Sequence, residues 1–182
     1  MLKTMKGRVV RLAFNDVNTD IIAPGEFRLQ VADNDHQLTA LRPHVFRAIR
    51  PGLDAFVKPG DIFVVGKNFG AGSHREPAVQ IFNVWGVQAV IAESAARIWF
   101  RNAIAAGLPV FELADATKLF DEGDDAEIDT KDWKIRNIGR ETSYDVPSFP
   151  PTVGRILDAG GILPLLKQRV DEQFTPKIGL EE

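Results

Sequence analysis

The apolar positions of this chain fall into short runs separated by polar, glycine- and proline-rich punctuation. Residues 6–13 (KGRVVRLA) read as a strand, because the β-branched pair Val9-Val10 sits in a short run that ends at a turn. That turn is dense in Asn and Asp (Asn15, Asp16, Asn18, Asp20) and closes on Pro24-Gly25. Residues 26–60 show no clear period and are broken by Pro43, Pro51, Gly52, Pro59 and Gly60. They read as loops with a short helix or two, and a long irregular stretch inside a domain is usually functional or mobile.

The middle of the chain is more regular. Residues 61–65 (DIFVV) form an apolar run of buried-strand type and feed the loop 66–76 (GKNFGAGSHRE). Pro77 suits the first helical position, and Ala78, Val79, Ile81, Phe82 and Trp85 give an apolar helical face that ends at Gly86. A second strand is predicted over 88–92. Ser94 reads as the N-cap of a helix carrying Ile98, Trp99, Ile104 and Ala105, stopped by Gly107. A third strand follows over 108–113. Strand–helix–strand–helix–strand alternation implies right-handed crossovers and an α/β fold with a partly parallel sheet. Residues 121–132 hold seven carboxylates and one lysine without the spacing of a calcium loop, so they read as a solvated hairpin or turn. Short strands near Ile128 and over 133–138, then helical pieces over 153–159 and 163–170 split by Gly160-Gly161, complete the pattern. The expected organisation is one domain over 1–182, with its core at about 6–170 and a flexible tail beyond about Asp171.

Composition narrows the function classes. The 182 residues are 45% hydrophobic and 26% charged with a formal net charge of −3, as in ordinary soluble globular proteins. The mild acidity, with no basic stretch interleaved with aromatics, argues against nucleic acid. No window approaches the roughly 18 apolar residues of a membrane span, and the charged start MLKTMKGRVVRLAF does not resemble a signal peptide. A soluble, cytoplasmic chain is expected. The complete absence of cysteine excludes disulfides, thiol nucleophiles, zinc–thiolate sites and any iron–sulfur cluster held by this chain's own thiolates. His36, His44 and His74 do not stand at metal-ligand spacing, and the first two read as surface or packing residues.

The loop 66–76 carries the distinctive chemistry. Its glycines at 66, 70 and 72 permit positive φ and free backbone amides to face a ligand, and Arg75 supplies a planar fork suited to a carboxylate. Common motifs fail by counting. Gly72 is followed by Ser73-His74 rather than Lys-Ser/Thr, Arg75 stands where a dinucleotide loop needs a third glycine, and Ala71 and Arg75 replace the glycines of a nucleophile elbow. A plain sheet-to-helix turn also accounts for the local composition.

The run Asn68-Phe69-Gly70-Ala71-Gly72-Ser73-His74-Arg75-Glu76 resembles the Asn-Phe/Tyr-Gly-x-Gly-Ser-Ser-Arg-Glu signature of the aconitase superfamily's swivelling domain. More specifically, it resembles the free-standing small subunits of the 3-isopropylmalate dehydratase type. Residues 16–24 (DVNTDIIAP) resemble that family's Asn-Thr-Asp turn. Ser94-Ala95-Ala96-Arg97-Ile98, with Asn102 and Gly107-Leu108, resembles its second strand–helix block. The three blocks occur in the family's order across about residues 6–170.

The resemblance implies a swivelling β/β/α domain, as in the C-terminal domain of aconitase, with a partly parallel central sheet flanked by helices. It implies a hydro-lyase subunit that works with a larger subunit bearing a [4Fe–4S] cluster and acts on a hydroxy-di- or tricarboxylic acid. 3-Isopropylmalate, in leucine biosynthesis, is the expected substrate; homoaconitate, citrate-like acids and methylated malates remain open, as does a non-catalytic anion-binding module of the same fold. By position Ser73 is the base, Arg75 holds a substrate carboxylate and Asp20 lines the site. Gly70 and Gly72 supply anion-binding backbone, and Arg28, in the run 26–29 (EFRL), reads the distinguishing substituent. Asn18 and Thr19 shape the turn. His74 replaces the signature's second serine, offering either its backbone amide or an imidazole that reshapes substrate choice. Pro77 stands where His is common. Trp85 and Trp99 read as core or partner-interface residues.

Overall fold

In a computed structural model that describes residues 4–27 and 34–174, strand β1 (Met5–Leu12) has two halves with different neighbours. Its second half runs parallel to β2 (Ile62–Val65), pairing Val9 with Ile62 through Leu12 with Val65. Its first half runs antiparallel to β5 (Asp125–Asp129), pairing Met5 with Ile128 through Arg8 with Asp125. From this pivot β3 (Ala89–Ala92) and β4 (Val110–Glu112) extend the parallel side, while β6 (Lys134–Asn137) and β7 (Thr142–Asp145) extend the antiparallel side. Among the described residues the sheet order is β4-β3-β2-β1-β5-β6-β7. Every residue of β2 and β3 is buried, which is why both read as unbroken apolar runs rather than alternating ones.

The helical segments are α1 (Thr19–Ile22), α2 (Asn34–Leu41), α3 (Leu53–Phe56), α4 (Pro77–Val84), α5 (Arg97–Ala105), α6 (Ala116–Leu119), α7 (Pro151–Asp158) and α8 (Ile162–Phe174). Alternate strand residues face opposite sides of the sheet and so feed two cores. Phe63 and Val65 meet α4 and α5 through Phe46, Phe69, Phe82, Trp85 and Trp99. Ile62 and Val64 face Ile91, Phe111, Phe120 and Ile135 beneath the curled antiparallel strands. Trp85 and Trp99 are 3% and 1% exposed, so both belong to the core. His44 stacks on Phe27 with ring centroids 3.7 Å apart, a packing role; the side chain of His36 lies outside the described residues.

Three local expectations change. Helix α5 starts at Arg97 after Ala96, not at a Ser94 cap. Residues 94–96 instead stay extended and bond to the glycine loop: the Phe69 N–H donates to the Ser94 carbonyl at 3.0 Å, and the Ala96 N–H to the Phe69 carbonyl at 2.8 Å. A tertiary ladder thus overrides a local capping preference. Strand β7 is an addition, and α8 runs to Phe174, beyond the expected end of the last helical piece; residues 175–182 lie outside the described residues. The acidic stretch, expected as a hairpin or turn, is the end of a loop, strand β5 and the start of the β5–β6 hairpin turn, where Asp129 accepts the N–H groups of Lys131 and Asp132. No helix among the described residues is long and apolar enough to cross a membrane.

Candidate active site

Because β1, β2 and β3 are parallel, the segments that leave their carboxyl ends gather at one edge of the sheet, where open α/β sheets bind ligands. The β1 turn clamps one side of the glycine loop. The Asp16 N–H donates to the Lys67 carbonyl at 2.8 Å, the Gly70 N–H to Val17 at 2.7 Å, and the Thr19 N–H to Ala71 at 2.9 Å. The segment before α5 clamps the other side, and the Ser94 hydroxyl accepts the Asn68 N–H at 2.8 Å. Phe69, fully buried, drives its ring edge against Trp99 at 5.0 Å and anchors the loop from below.

Two glycines make this path possible. Gly70 has φ +78°, and a Cβ there would stand 2.2 Å from Trp99 Cγ. Gly72 has φ +100° and packs beside Thr19. Both conformations are ones that L side chains rarely adopt. Asn18 caps α1, its Oδ1 accepting the Ile21 N–H at 2.8 Å, and the Thr19 hydroxyl donates to the Ser73 carbonyl at 3.1 Å. The turn-shaping role read for these two residues is therefore what the structure displays.

Beyond Gly72 the chain presents Ser73 and His74 at the surface. Arg75 turns back and forms an ion pair with Asp20, its own side chain 20% exposed and that of Asp20 58%. Its Nε lies 3.5 Å from Ser73 Oγ, at the outer limit of a hydrogen bond. Ser73, Arg75, Asp20, Gly70 and Gly72 thus come together. Arg28 lies outside the described residues. Its neighbour Phe27 stacks on His44 and lies under the Arg47 guanidinium at 4.5 Å, while Glu26 pairs with Arg47 at 2.6 Å.

His74 Nδ1 is hydrogen-bonded to the Asn102 side-chain amide of α5. The ring lines a groove of about 440 Å³ with Glu76, Gln80, Ile162 and Leu163. Pro77 opens α4 as expected, and Glu76 accepts from Gln80 at 2.7 Å.

Sequence reasoning missed the Asn102–His74 pair, because its members are 28 positions apart and no local pattern links them. It also gave no role to Arg97 and Arg101, which line a cavity of about 330 Å³ with Gly72, Ala96 and Ile98. The periodicity of α5 had one signal to offer: both arginines fall off its apolar face. No three or more His, Asp or Glu side chains among the described residues gather to hold a metal ion, and the chain has no cysteine. The residues present therefore do not fit an iron–sulfur cluster.

The arrangement offers a surface hydroxyl, a guanidinium beside it and a carboxylate that aims the guanidinium. That set can bind a carboxylate and move a proton next to it. Residues 1–115 match the aconitase C-terminal domain family. The chain is 41% identical over 163 residues to the 3-isopropylmalate dehydratase small subunit of Halothermothrix orenii, covering 90% of this chain and 95% of that one. It is 37% identical over 172 residues to the isopropylmalate/citramalate isomerase small subunit of Methanocaldococcus jannaschii, covering 94% and 99%. The crystal structure of 3-isopropylmalate dehydratase from M. jannaschii superimposes with a TM-score of 0.83 at 36% identity, covering 93% of this chain and 97% of that one. A signature loop clamped at the carboxyl edge of a part-parallel sheet, together with relatives matched over nearly their whole length, places this chain in the aconitase C-terminal domain family, among the small subunits of 3-isopropylmalate dehydratases.

Proposed function

We propose that this chain is the small subunit of a heteromeric hydro-lyase that removes and re-adds water on a 2-hydroxy diacid of the 3-isopropylmalate type. A cytoplasmic site of action accompanies that role. The observation that carries the reading is the cluster of Ser73 and Arg75, on a loop clamped from both sides, with Asp20 of α1.

In this reading Arg75 takes a substrate carboxylate in its planar fork. Ser73 Oγ receives the proton from the carbon next to that carboxylate. A serine hydroxyl is a poor base at neutral pH, so its alkoxide needs a positive field, and Arg75 Nε at 3.5 Å supplies one that grows as a partner closes the site to water. Asp20 keeps the guanidinium aimed. The [4Fe–4S] cluster of the resemblance belongs in this reading to the larger subunit, since this chain offers no ligand set for it. A methylated malate is the second substrate to test, because the M. jannaschii relative carries citramalate in its name.

The test is reconstitution with the cognate large subunit. The complex should hydrate or dehydrate 3-isopropylmalate, and Ser73→Ala should assemble normally while losing about 10²–10⁴-fold in kcat. Near-full activity of Ser73→Ala would remove Ser73 as the base.

A further inference from the structure

A cavity of about 580 Å³ opens between the β5–β6 turn and α7, a size suited to a small molecule. Trp133, Phe149, Pro150, Pro151 and Gly154 form its apolar wall, with Thr130 set among them. Of the five buried polar residues among the described ones, Thr19, Asp61, Thr117 and Asn137 all have hydrogen-bonded side chains. Thr130, 7% exposed, is the exception: its hydroxyl has no partner among the described residues. Buried polar groups are normally paired, so an orphan hydroxyl on a cavity wall marks a place for a hydrogen-bonding group from outside.

Two further features of the wall point the same way. The indole N–H of Trp85 donates to Asp54 at 2.7 Å and that of Trp99 to the Ala78 carbonyl at 3.1 Å. The N–H of half-buried Trp133 has no acceptor among the described residues. Its ring, 5.4 Å from that of Phe149, is carried by a backbone at φ +54°, a costly conformation for a bulky residue. Gly154 lies inside α7 without a positive φ, and an added Cβ would meet no atom within 4 Å. A glycine there weakens the helix while serving neither a turn nor a close approach, and what it leaves is room.

We propose that this cavity is a second binding site, for a small uncharged molecule with an apolar ring or branched body and one carbonyl- or amide-type oxygen. The body packs on Trp133, Phe149 and the two prolines, and the orphan donors Trp133 Nε1 and Thr130 Oγ1 meet the oxygen. Charge selects against ions. Asp129 and Asp158 border the cavity and disfavour an anion, while Lys131 stands on the same rim against a cation. Asp129 is moreover already met by Arg136 and by the N–H groups of Lys131 and Asp132. Strand pairing puts Thr4 and Asp129 at the start of β1, about 25 Å of strand from the turn that clamps the glycine loop. The site is therefore separate from the function proposed above and does not rest on it.

The experiment titrates the full isotope-labelled chain with benzamide, benzoate and benzylamine, which share one ring and are neutral, anionic and cationic in turn. It follows the indole N–H signals of the three tryptophans by NMR, with Trp133→Phe assigning that of Trp133. Benzamide should move the Trp133 signal saturably, with a Kd on the order of millimolar for so small a ligand, and leave those of Trp85 and Trp99 in place. The two ions should bind about tenfold more weakly or not at all. Thr130→Val should weaken benzamide about 3–10-fold, the loss of one hydrogen bond. Gly154→Leu should abolish binding while keeping or raising the thermal midpoint, which separates lost binding from lost folding. The absence of saturable movement at Trp133 overturns the proposal. So does equal binding of all three compounds, unchanged benzamide affinity in Thr130→Val, or full affinity in Gly154→Leu. A Trp133 signal that moves with protein concentration alone also overturns it, and would make the wall a contact between two copies of the chain.

Discussion

Arg75 and Asp20 face each other across the carboxyl edge of the sheet, one from the loop after β2 and one from the first turn of α1, and they form an ion pair. The guanidinium proposed to hold substrate is therefore held in the free subunit by a carboxylate of its own chain. A substrate carboxylate joins that pair, and Asp20 fixes the plane of the fork before it arrives.

Asp20→Asn keeps the shape and removes the charge. The expected outcome in the reconstituted complex is a fall in kcat/KM of about 10–100-fold, because a misaimed fork misplaces the carbon over Ser73. Asp20 is 58% exposed, so stability should change by less than about 1 kcal/mol. Steady-state kinetics and a thermal melt of the same preparation separate the two effects.

Gly70→Ala addresses the loop itself. The new methyl would collide with the Trp99 ring at 2.2 Å from a backbone at φ +78°. Left-handed strain and overpacking together should cost about 2–5 kcal/mol, seen as a lower denaturation midpoint in urea. An alanine tolerated within about 0.5 kcal/mol would mean that the Gly70–Trp99 contact does not limit the loop path.

His74→Ser restores the residue usual in the signature. The imidazole is tied to Asn102 and lines the groove with Ile162 and Leu163, so the proton transfer assigned to Ser73 does not need it. We expect kcat for 3-isopropylmalate to stay within about threefold of wild type, in line with a surface substitution. A larger loss would assign the imidazole a contact with substrate.

Acid stability offers a test away from the site. Glu127 on β5 is held below the usual carboxylate range, first by its hydrogen bond from Lys6 and then by that from Arg136, with N···O distances of 2.7 Å and 2.6 Å. These are cross-strand partners on β1 and β6. A carboxylate lowered in the folded state stabilises fully above its ordinary pKa of about 4.3, and that contribution fades as pH falls through the lowered value. The stability gap between wild type and Glu127→Gln should therefore be widest near neutrality and narrow below about pH 4. Chemical denaturation across that range measures it.

The segment from β2 to β4 was legible because buried parallel strands and amphipathic helices alternate there with clear glycine and proline stops. Ser73, Arg75 and the Asn-Thr-Asp turn stood out through their resemblance to a known signature. Other features were not written locally. Strand β7 alternates half-buried Thr142 and Tyr144 with exposed Ser143 and Asp145 at the sheet's edge, so it carries almost no apolar pattern. Ser94 looks like a cap until the ladder to Phe69 is known, and Arg75–Asp20 and His74–Asn102 exist only once separate elements meet.

The double allegiance of β1 has a consequence for synthesis. The backbone and side-chain partners described above as clamping the glycine loop, from Asp16 through Ser94 to Asn102, all precede β5 in the chain. The four parallel strands and the clamps of the glycine loop are thus all present in a growing polypeptide while Met5–Arg8 still awaits Asp125–Ile128. Until those residues emerge, half of β1 is a bare strand edge, the kind that recruits stray strands from other molecules. Premature termination between β4 and β5 would therefore yield a fragment that carries the glycine loop and a sticky flank together.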